Sequence, residues 1–402
     1  MRYSSLSGTR VIDLTHYIAG PYATKLLSDV GAEVVKIEPP AGEGGRRTGP
    51  LPANARDLDR GGLFAFLNTN KFGVTLNLKH ERGRELMFRL LDGADILIEN
   101  FAPGTLARMG LAPSDLLARF PRLSIVSISN FGQDGPLRDA PLDDLTLFAR
   151  GGWTFPVGEP DRAPLTPPGS LIQYVAALYG AIAAMQSLFA RDMGLGHGQH
   201  ADISILEAGV STMIYESVAF QYSGALRVRA GKRFGVGPFM IVTLECRDGY
   251  AGLHCVTDRQ FESLCELMNR QELVKDERFC TALQRMVNND ALLAIVEPFF
   301  LEHDRVWLYR EGQNLKIPMV PIPSVAEVLE WEQLKARRFF ETIDDPVLGP
   351  IRVPGSPLRL SSHRGAPSRP APRLGEHNRE ILGGRLGISD RELESMRAGG
   401  LI

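Results

Sequence analysis

Through the first half of the chain, short apolar runs alternate with amphipathic stretches, the rhythm of strands and helices layered on a mostly parallel sheet. Arg10–Leu14 predicts a strand. Tyr22, Leu26, Leu27 and Val30 fall at helical spacing within 21–30, Gly31 stops that helix, and 33–37 predicts a second strand, completing one β-α-β unit. The same scheme predicts strands at 74–78, 96–98 and 123–128, a helix at 82–91, and a short helix at 114–120 capped by Ser114. Such units cross over right-handed and gather ligands beyond the carboxyl ends of their strands. That directs attention to residues 16–21, 38–47, 99–104 and 129–136.

Residues 175–190 are almost uninterrupted Ala, Leu, Met and Phe, too short for a bilayer, and predict a helix buried on most sides. A polar connector at 191–200 leads to a short strand and one long apolar helix around 203–220. Past a basic, glycine-rich stretch at 227–237, strands near 240–245 and 251–256 and helices from 258 to about 310 predict a smaller α/β domain. Pro318, Pro321 and Pro323 predict a rigid linker at 317–323 rather than a strand. The expected division is a large domain at 1–200, a linker helix at 201–225, a small domain at 226–315, a second linker at 316–330 and the return of the large domain at 331–402.

Composition narrows the function classes. The 402 residues carry 45 Lys plus Arg against 47 Asp plus Glu, a formal charge of −2 that argues against a nucleic-acid partner. With 44% hydrophobic and 23% charged residues the chain reads as globular. The four cysteines are too few for a disulfide scaffold and form no C-x-x-C pair, so they read as reduced, buried thiols. The polar N-terminus and the lack of a spanning apolar run predict a soluble, cytoplasmic protein without a membrane partner. Gly42-Glu43-Gly44-Gly45-Arg46-Arg47 fails the G-x-G-x-x-G pattern at its third glycine, leaving either an anion-friendly loop or a solvated turn. His197, His200 and Asp202 would hold a metal only on a helix, and the surrounding glycines argue for a loop, so no metal is expected. No G-x-S-x-G elbow is present. Arg227, Arg229, Lys232 and Arg233 form either a solvated basic edge or a clamp for a polyanionic ligand.

Several segments, in order and spacing, carry a resemblance. They are Val11-Ile12-Asp13-Leu14, Ala19-Gly20-Pro21, the run Asp29 to Pro39, Asn70-Lys71, Glu99-Asn100-Phe101-Ala102-Pro103-Gly104, Ser129 to Pro136, Gly198 to Ser204, Arg247-Asp248-Gly249-Tyr250 and Gly375-Glu376-His377. Together they resemble the class III coenzyme A transferases, the family of formyl-CoA transferase and carnitine CoA-transferase that also includes 2-methylacyl-CoA racemases. The resemblance implies an α/β fold with a large, doubly wound, Rossmann-like domain and a smaller α/β domain, paired as an interlocked, ring-shaped homodimer. It implies coenzyme A as substrate, with His16, Tyr17 and Ala19 lining its nucleotide end and Lys71, Asn100, Phe101 and Arg108 contacting adenosine and phosphates. A mobile glycine loop would correspond to Gly231, Gly235 and Gly237.

The sequence departs from the family at the reacting position. The aspartate that attacks the acyl-CoA thioester there falls on Gln173, and residues 166–190 contain no Asp or Glu. An amide cannot form the acyl anhydride, though it can hydrogen-bond an oxyanion. Tyr174 and Asp144 are the other candidate catalytic residues, Asp144 matching an acidic position of the family's site. Asp143 stands where the racemases carry histidine, and Pro39 where many relatives carry arginine. The expected activity is CoA transfer between an acyl-CoA and a carboxylic acid; altered thioester chemistry (lyase, isomerase or hydrolase) and a non-catalytic CoA-binding homologue stay open.

Overall fold

The computed structural model describes residues 4–49, 61–232, 240–361 and 369–402. By internal contacts the chain forms two compact units: one of Met1–Gly151, Pro167–Ile214 and Glu332–Ile402, the other of Gly152–Thr166 and Tyr215–Trp331.

The first unit is built on a six-stranded, wholly parallel sheet. Its strands are β1 (Arg10–Leu14), β2 (Glu33–Glu38), β3 (Phe72–Thr75), β4 (Ile96–Glu99), β5 (Ser124–Ser129) and β6 (His200–Ser204), in the order β3-β2-β1-β4-β5-β6. The inner strands are buried on both faces because helices cover both. On one face, Ile12, Leu14, Leu97 and Ile125 pack with Leu86, Leu111 and Leu116, from the segment that holds α3 (Glu81–Leu91), α4 (Thr105–Arg108) and α5 (Pro113–Arg119). The helix α2 (Gly62–Leu67) precedes β3. On the opposite face α1 (Ala19–Asp29) packs along α7 (Leu171–Asp192), with Gly180 of α7 against Ile128 and Ala23. In chain order α6 (Asp144–Arg150) follows β5 and α8 (Ile205–Val210) follows β6, while α9 (Ile214–Ser223) belongs from Tyr215 onward to the second unit. The last residues return to the β3 edge: the Gly73 and Thr75 amides donate to His377 Nδ1 (3.0 Å) and Asn378 Oδ1 (2.9 Å), and the Asn77 amide to the Leu401 carbonyl (2.8 Å).

Strand order reverses between β1 and β4, so the loops that leave these two strands diverge and open a crevice at the carboxyl edge of the sheet. The tight β1–α1 turn needs Gly20, because a Cβ there would stand 2.3 Å from Thr15 Cβ.

The second unit has an antiparallel sheet, β7 (Met240–Cys246), β8 (Gly249–Cys255) and β9 (Met319–Pro321), over a core that includes Phe261, Phe279, Leu292 and Phe300. Burial pushes the thiols of Cys246 and Cys265 up to about 11 and that of Cys255 up to about 12, so these three are inert at neutral pH. A hairpin of β10 (Phe340–Asp345) and β11 (Gly349–Pro354) belongs to the first unit.

Several expectations are corrected. Residues 319–321 form a strand despite Pro321, because β9 is an edge that, among the described residues, pairs only with β8. The helix expected at 203–220 is two, broken at 211–213 where the Ser211 and Thr212 hydroxyls bond back to the carbonyls of Ala208 and Gly209. Ser114 is not a cap: Pro113 opens α5, and the Ser114 hydroxyl bonds Asp115. The apolar helix runs 22 residues, long enough by length and composition to cross a membrane, although 44% of its apolar window is buried within this chain. Cys280 is exposed rather than buried.

Candidate active site at the reversal of strand order

Asp13 anchors the crevice from below. Thr15 donates to its Oδ1 through both amide and hydroxyl (2.9 and 2.5 Å), while Thr24 Oγ1 (2.7 Å) and Lys71 Nζ (3.0 Å) donate to Oδ2. Burial opposes its charge, but Lys36, Lys71 and these hydroxyls outweigh that cost and hold the carboxyl well below the ordinary range. Lys36 Nζ donates to the Thr15 carbonyl (2.7 Å) and lies 3.7 Å from Glu43 Oε1. The β1 loop therefore rests on a buried, charge-paired floor.

On that floor the two loops grip each other. The His16 amide donates to Asn100 Oδ1 (2.7 Å), and Asn100 Nδ2 donates to the His16 carbonyl (2.9 Å), a reciprocal pair that ties the β1 loop to the β4 loop. The His16 ring meets Phe101 edge-on at 4.7 Å. Burial and then Lys36 lower the affinity of His16 for a proton, which keeps the imidazole neutral. Tyr17 sits at φ +60°, its amide on Glu43 Oε2 (3.3 Å), and its ring crosses Gly44, where a Cβ would meet the phenol oxygen at 2.4 Å. Tyr17 is half exposed, and Arg108, at the end of α4, is exposed with Nη2 on Thr105 Oγ1 (2.7 Å). Ala19 is buried at the start of α1.

Lys71 departs from expectation. It is fully buried, and its three protons go to Asp13, the Pro21 carbonyl (2.9 Å) and Asn68 Oδ1 (2.9 Å), leaving no donor for a phosphate. Burial pulls it down to about 8 despite Asp13. Lys71 builds the floor under the crevice. Arg46 is likewise spent: it forks onto Glu38 (2.7 Å twice), donates to the Pro372 carbonyl and stacks on Phe64, so the Gly42–Arg47 loop does not offer that arginine to an anion.

The second group lies on the α1–α7 face. Gln173 and Tyr174 occupy the first turn of α7, both amides on the Ser170 carbonyl and both side chains half-buried. The Tyr174 ring stands edge-on to Tyr22 of α1 at 4.9 Å. Burial, then Tyr22 and Asp144, raise the Tyr174 phenol, so it is a neutral hydroxyl at neutral pH. Asp144 opens α6 beside a capping box made by Asp143 and Thr146, and its Oδ1 is buried without a hydrogen-bond partner. The structure thus assembles Tyr174 and Asp144 and adds Tyr22, which periodicity had marked only as a core position. Glu43 and Glu99 were also missed. Glu99 had a signal, a carboxylate ending the otherwise apolar strand Ile96–Glu99.

Elsewhere the basic cluster is paired within the second unit: Arg227 with Glu216, Arg229 with the carbonyls of Phe155 and Glu159, and Lys232 with Glu297. Arg233, Gly235 and Gly237 lie outside the described residues. His197 is exposed, and His200 and Asp202 lie on a strand, turned to Ser127 and the Gln133 amide.

A family model described as CoA-transferase family III matches residues 6–378. Acetyl-CoA:oxalate CoA-transferase of Acetobacter aceti is 32% identical over 92% of this chain and 92% of its own length. The alpha subunit of succinyl-CoA–L-malate CoA-transferase of Chloroflexus aurantiacus is 33% identical over 98% of this chain and 91% of its own. Among solved structures, a CAIB/BAIF family protein from Brucella suis superposes with a TM-score of 0.83 at 32% identity, covering 95% of this chain and 99% of that one.

Proposed function

The chain belongs to CoA-transferase family III, and on that premise we propose that it moves coenzyme A from an acyl-CoA thioester to a carboxylic acid without a covalent aspartyl intermediate. The acceptor carboxylate attacks the thioester carbonyl, the C–S bond breaks, and an anhydride and the CoA thiolate result; the thiolate then attacks the acceptor's carbonyl and releases the donor acid. Such a route needs both substrates bound together, because Gln173 offers no nucleophile. In this reading the Gln173 amide and the Tyr174 hydroxyl donate to the oxyanion that each attack creates, a role that both groups can fill while neutral. Asp144 acts on Tyr174 only through its charge, which raises the phenol and so keeps that proton on the hydroxyl for donation.

Coenzyme A lies over the β1 and β4 loops, with His16 and Tyr17 beside the nucleotide, Phe101 against the ring, Asn100 holding the loops together and Arg108 on a phosphate. The observation that carries the reading is the reciprocal Asn100–His16 pair at the reversal of strand order, the place where doubly wound sheets take nucleotides. A homodimer belongs to the same proposal, and sedimentation velocity reads that state.

The test is mass spectrometry after incubation with acyl-CoA, together with chromatography of CoA esters mixed with free acids. CoA exchange with no acyl or CoA adduct on residues 170–176 is expected. A thioester on any of them overturns the non-covalent route, and absence of calorimetric heat with coenzyme A overturns the site.

A further inference from the structure

A second cleft, of 330 Å³, lies on the far face of the same sheet. Ile128 packs against α7, so its neighbours Ser127 and Ser129 point the other way, toward the α4–α5 segment. The cleft is lined by Glu99, Thr105, Ser114, Gln133, Arg138 and His200, among others. Gln133 Nε2 is buried there without a hydrogen-bond partner. Arg138 reaches Asp139 only at 3.4 Å, and its Nη2 and Arg108 Nη1 converge over Gly104, 3.4 and 3.3 Å from where a Cβ would stand. Buried donors left unsatisfied beside a partly exposed guanidinium ask for an acceptor.

We propose that this cleft binds a small carboxylate, held by Gln133 and Arg138, and that binding takes up one proton on the chain Glu99–Ser127–His200. Glu99 Oε2 accepts the Phe101 amide (2.8 Å), the Ser127 hydroxyl faces the Glu99 carboxyl closely enough to favour its charge, and Ser127 Oγ lies 2.9 Å from His200 Nε2. This chain has two polarities. With Glu99 ionised, Ser127 donates to it and His200 Nε2–H donates to Ser127. With Glu99 protonated, every bond reverses: Glu99 donates to Ser127, Ser127 to Nε2, and His200 keeps its proton on Nδ1 as a free donor. An anion in the cleft favours the second state, since it removes the negative charge and frees a donor. The other charges facing the group are Asp202, already engaged by the Gln133 amide (2.7 Å), and Arg138. Burial, with a smaller push from Asp202, raises Glu99 to about 7, so the switch falls within the working range.

The inference does not require coenzyme A, and its test separates the two sites. Oxalate, fully ionised between pH 6 and 8, is titrated calorimetrically into the full chain. Binding is expected to be about tenfold tighter at pH 6 than at pH 8, the ratio of protonated carboxyl for a group titrating near 7. Gln133→Leu and, at a partly exposed position, Arg138→Ala should each weaken it about tenfold or more at pH 6, while Gln133→Leu leaves coenzyme A affinity unchanged. Glu99→Gln should keep binding and flatten its pH dependence. Absence of oxalate heat, equal affinity in both variants, or displacement of oxalate by coenzyme A each overturns the proposal; loss of coenzyme A binding alone does not touch it.

Discussion

Replacing Lys71 with methionine tests whether this lysine supports the fold or reaches a ligand. The side chain is fully buried, and its loss removes three hydrogen bonds and strands Asp13 beside the remaining Lys36, whose Nζ stands 4.0 Å away. Removing one partner of such a buried pair costs about 3–5 kcal/mol, a large part of the stability of an ordinary domain. Urea unfolding followed by circular dichroism should show that loss as a lower midpoint. The variant Asp13→Asn with Lys71→Met should recover part of it, because no uncompensated charge then stays buried. Lys71 is pulled from 10.5 to about 8 in the fold, so between those values the unfolded chain binds more protons, and stability from this group climbs as pH rises through the window. The climb should be absent in Lys71→Met. A wild-type midpoint together with at least tenfold weaker coenzyme A binding would refute this reasoning and restore Lys71 as a ligand contact.

Other perturbations give separate readings. Gly20→Ala places a Cβ 2.3 Å from Thr15 Cβ and should destabilise the protein by about 1–3 kcal/mol in thermal unfolding. Asn100→Leu removes both bonds to the His16 backbone, and calorimetry should find coenzyme A bound about tenfold or more weakly. Arg108→Ala should weaken coenzyme A and flatten the salt dependence of its affinity, since an exposed guanidinium acts on phosphate largely through charge. Gln173→Asp supplies a carboxylate at the first turn of α7; appearance of an acyl-enzyme mass is expected, and failure to form one would remove Gln173 from the reacting position.

Local pattern was enough for β1, β2, β4 and β5, because buried parallel strands are short runs between turn signals, and for the loops that follow β1 and β4; it placed β3, expected at 74–78, two residues late. It failed where the deciding partner was remote. The prolines of 318–323 read as a linker, since nothing nearby tells that β8 offers only one ladder edge to Met319–Pro321. The family resemblance implied Lys71 as a phosphate contact, and the sequence could not correct it because a lysine beside a ligand loop carries the same letters whether it faces out or in. Only packing against Asp13, 58 positions earlier, spent its protons.

The amino-acid order alone determined a parallel α/β layering and the crevice loops, since both follow from residue type and near-neighbour spacing; the reading of Gln173 as the reacting position rests on the family resemblance and belongs to the proposed function. Tertiary structure decided which charges are available: it buried Lys71 and Arg46 and drew Tyr22, Tyr174 and Asp144 together. It also turned Glu99, Ser127 and His200 onto one face of the sheet. These outcomes depend on burial and on contacts between distant segments, and a side chain's protons and charge are fixed by what surrounds it in space.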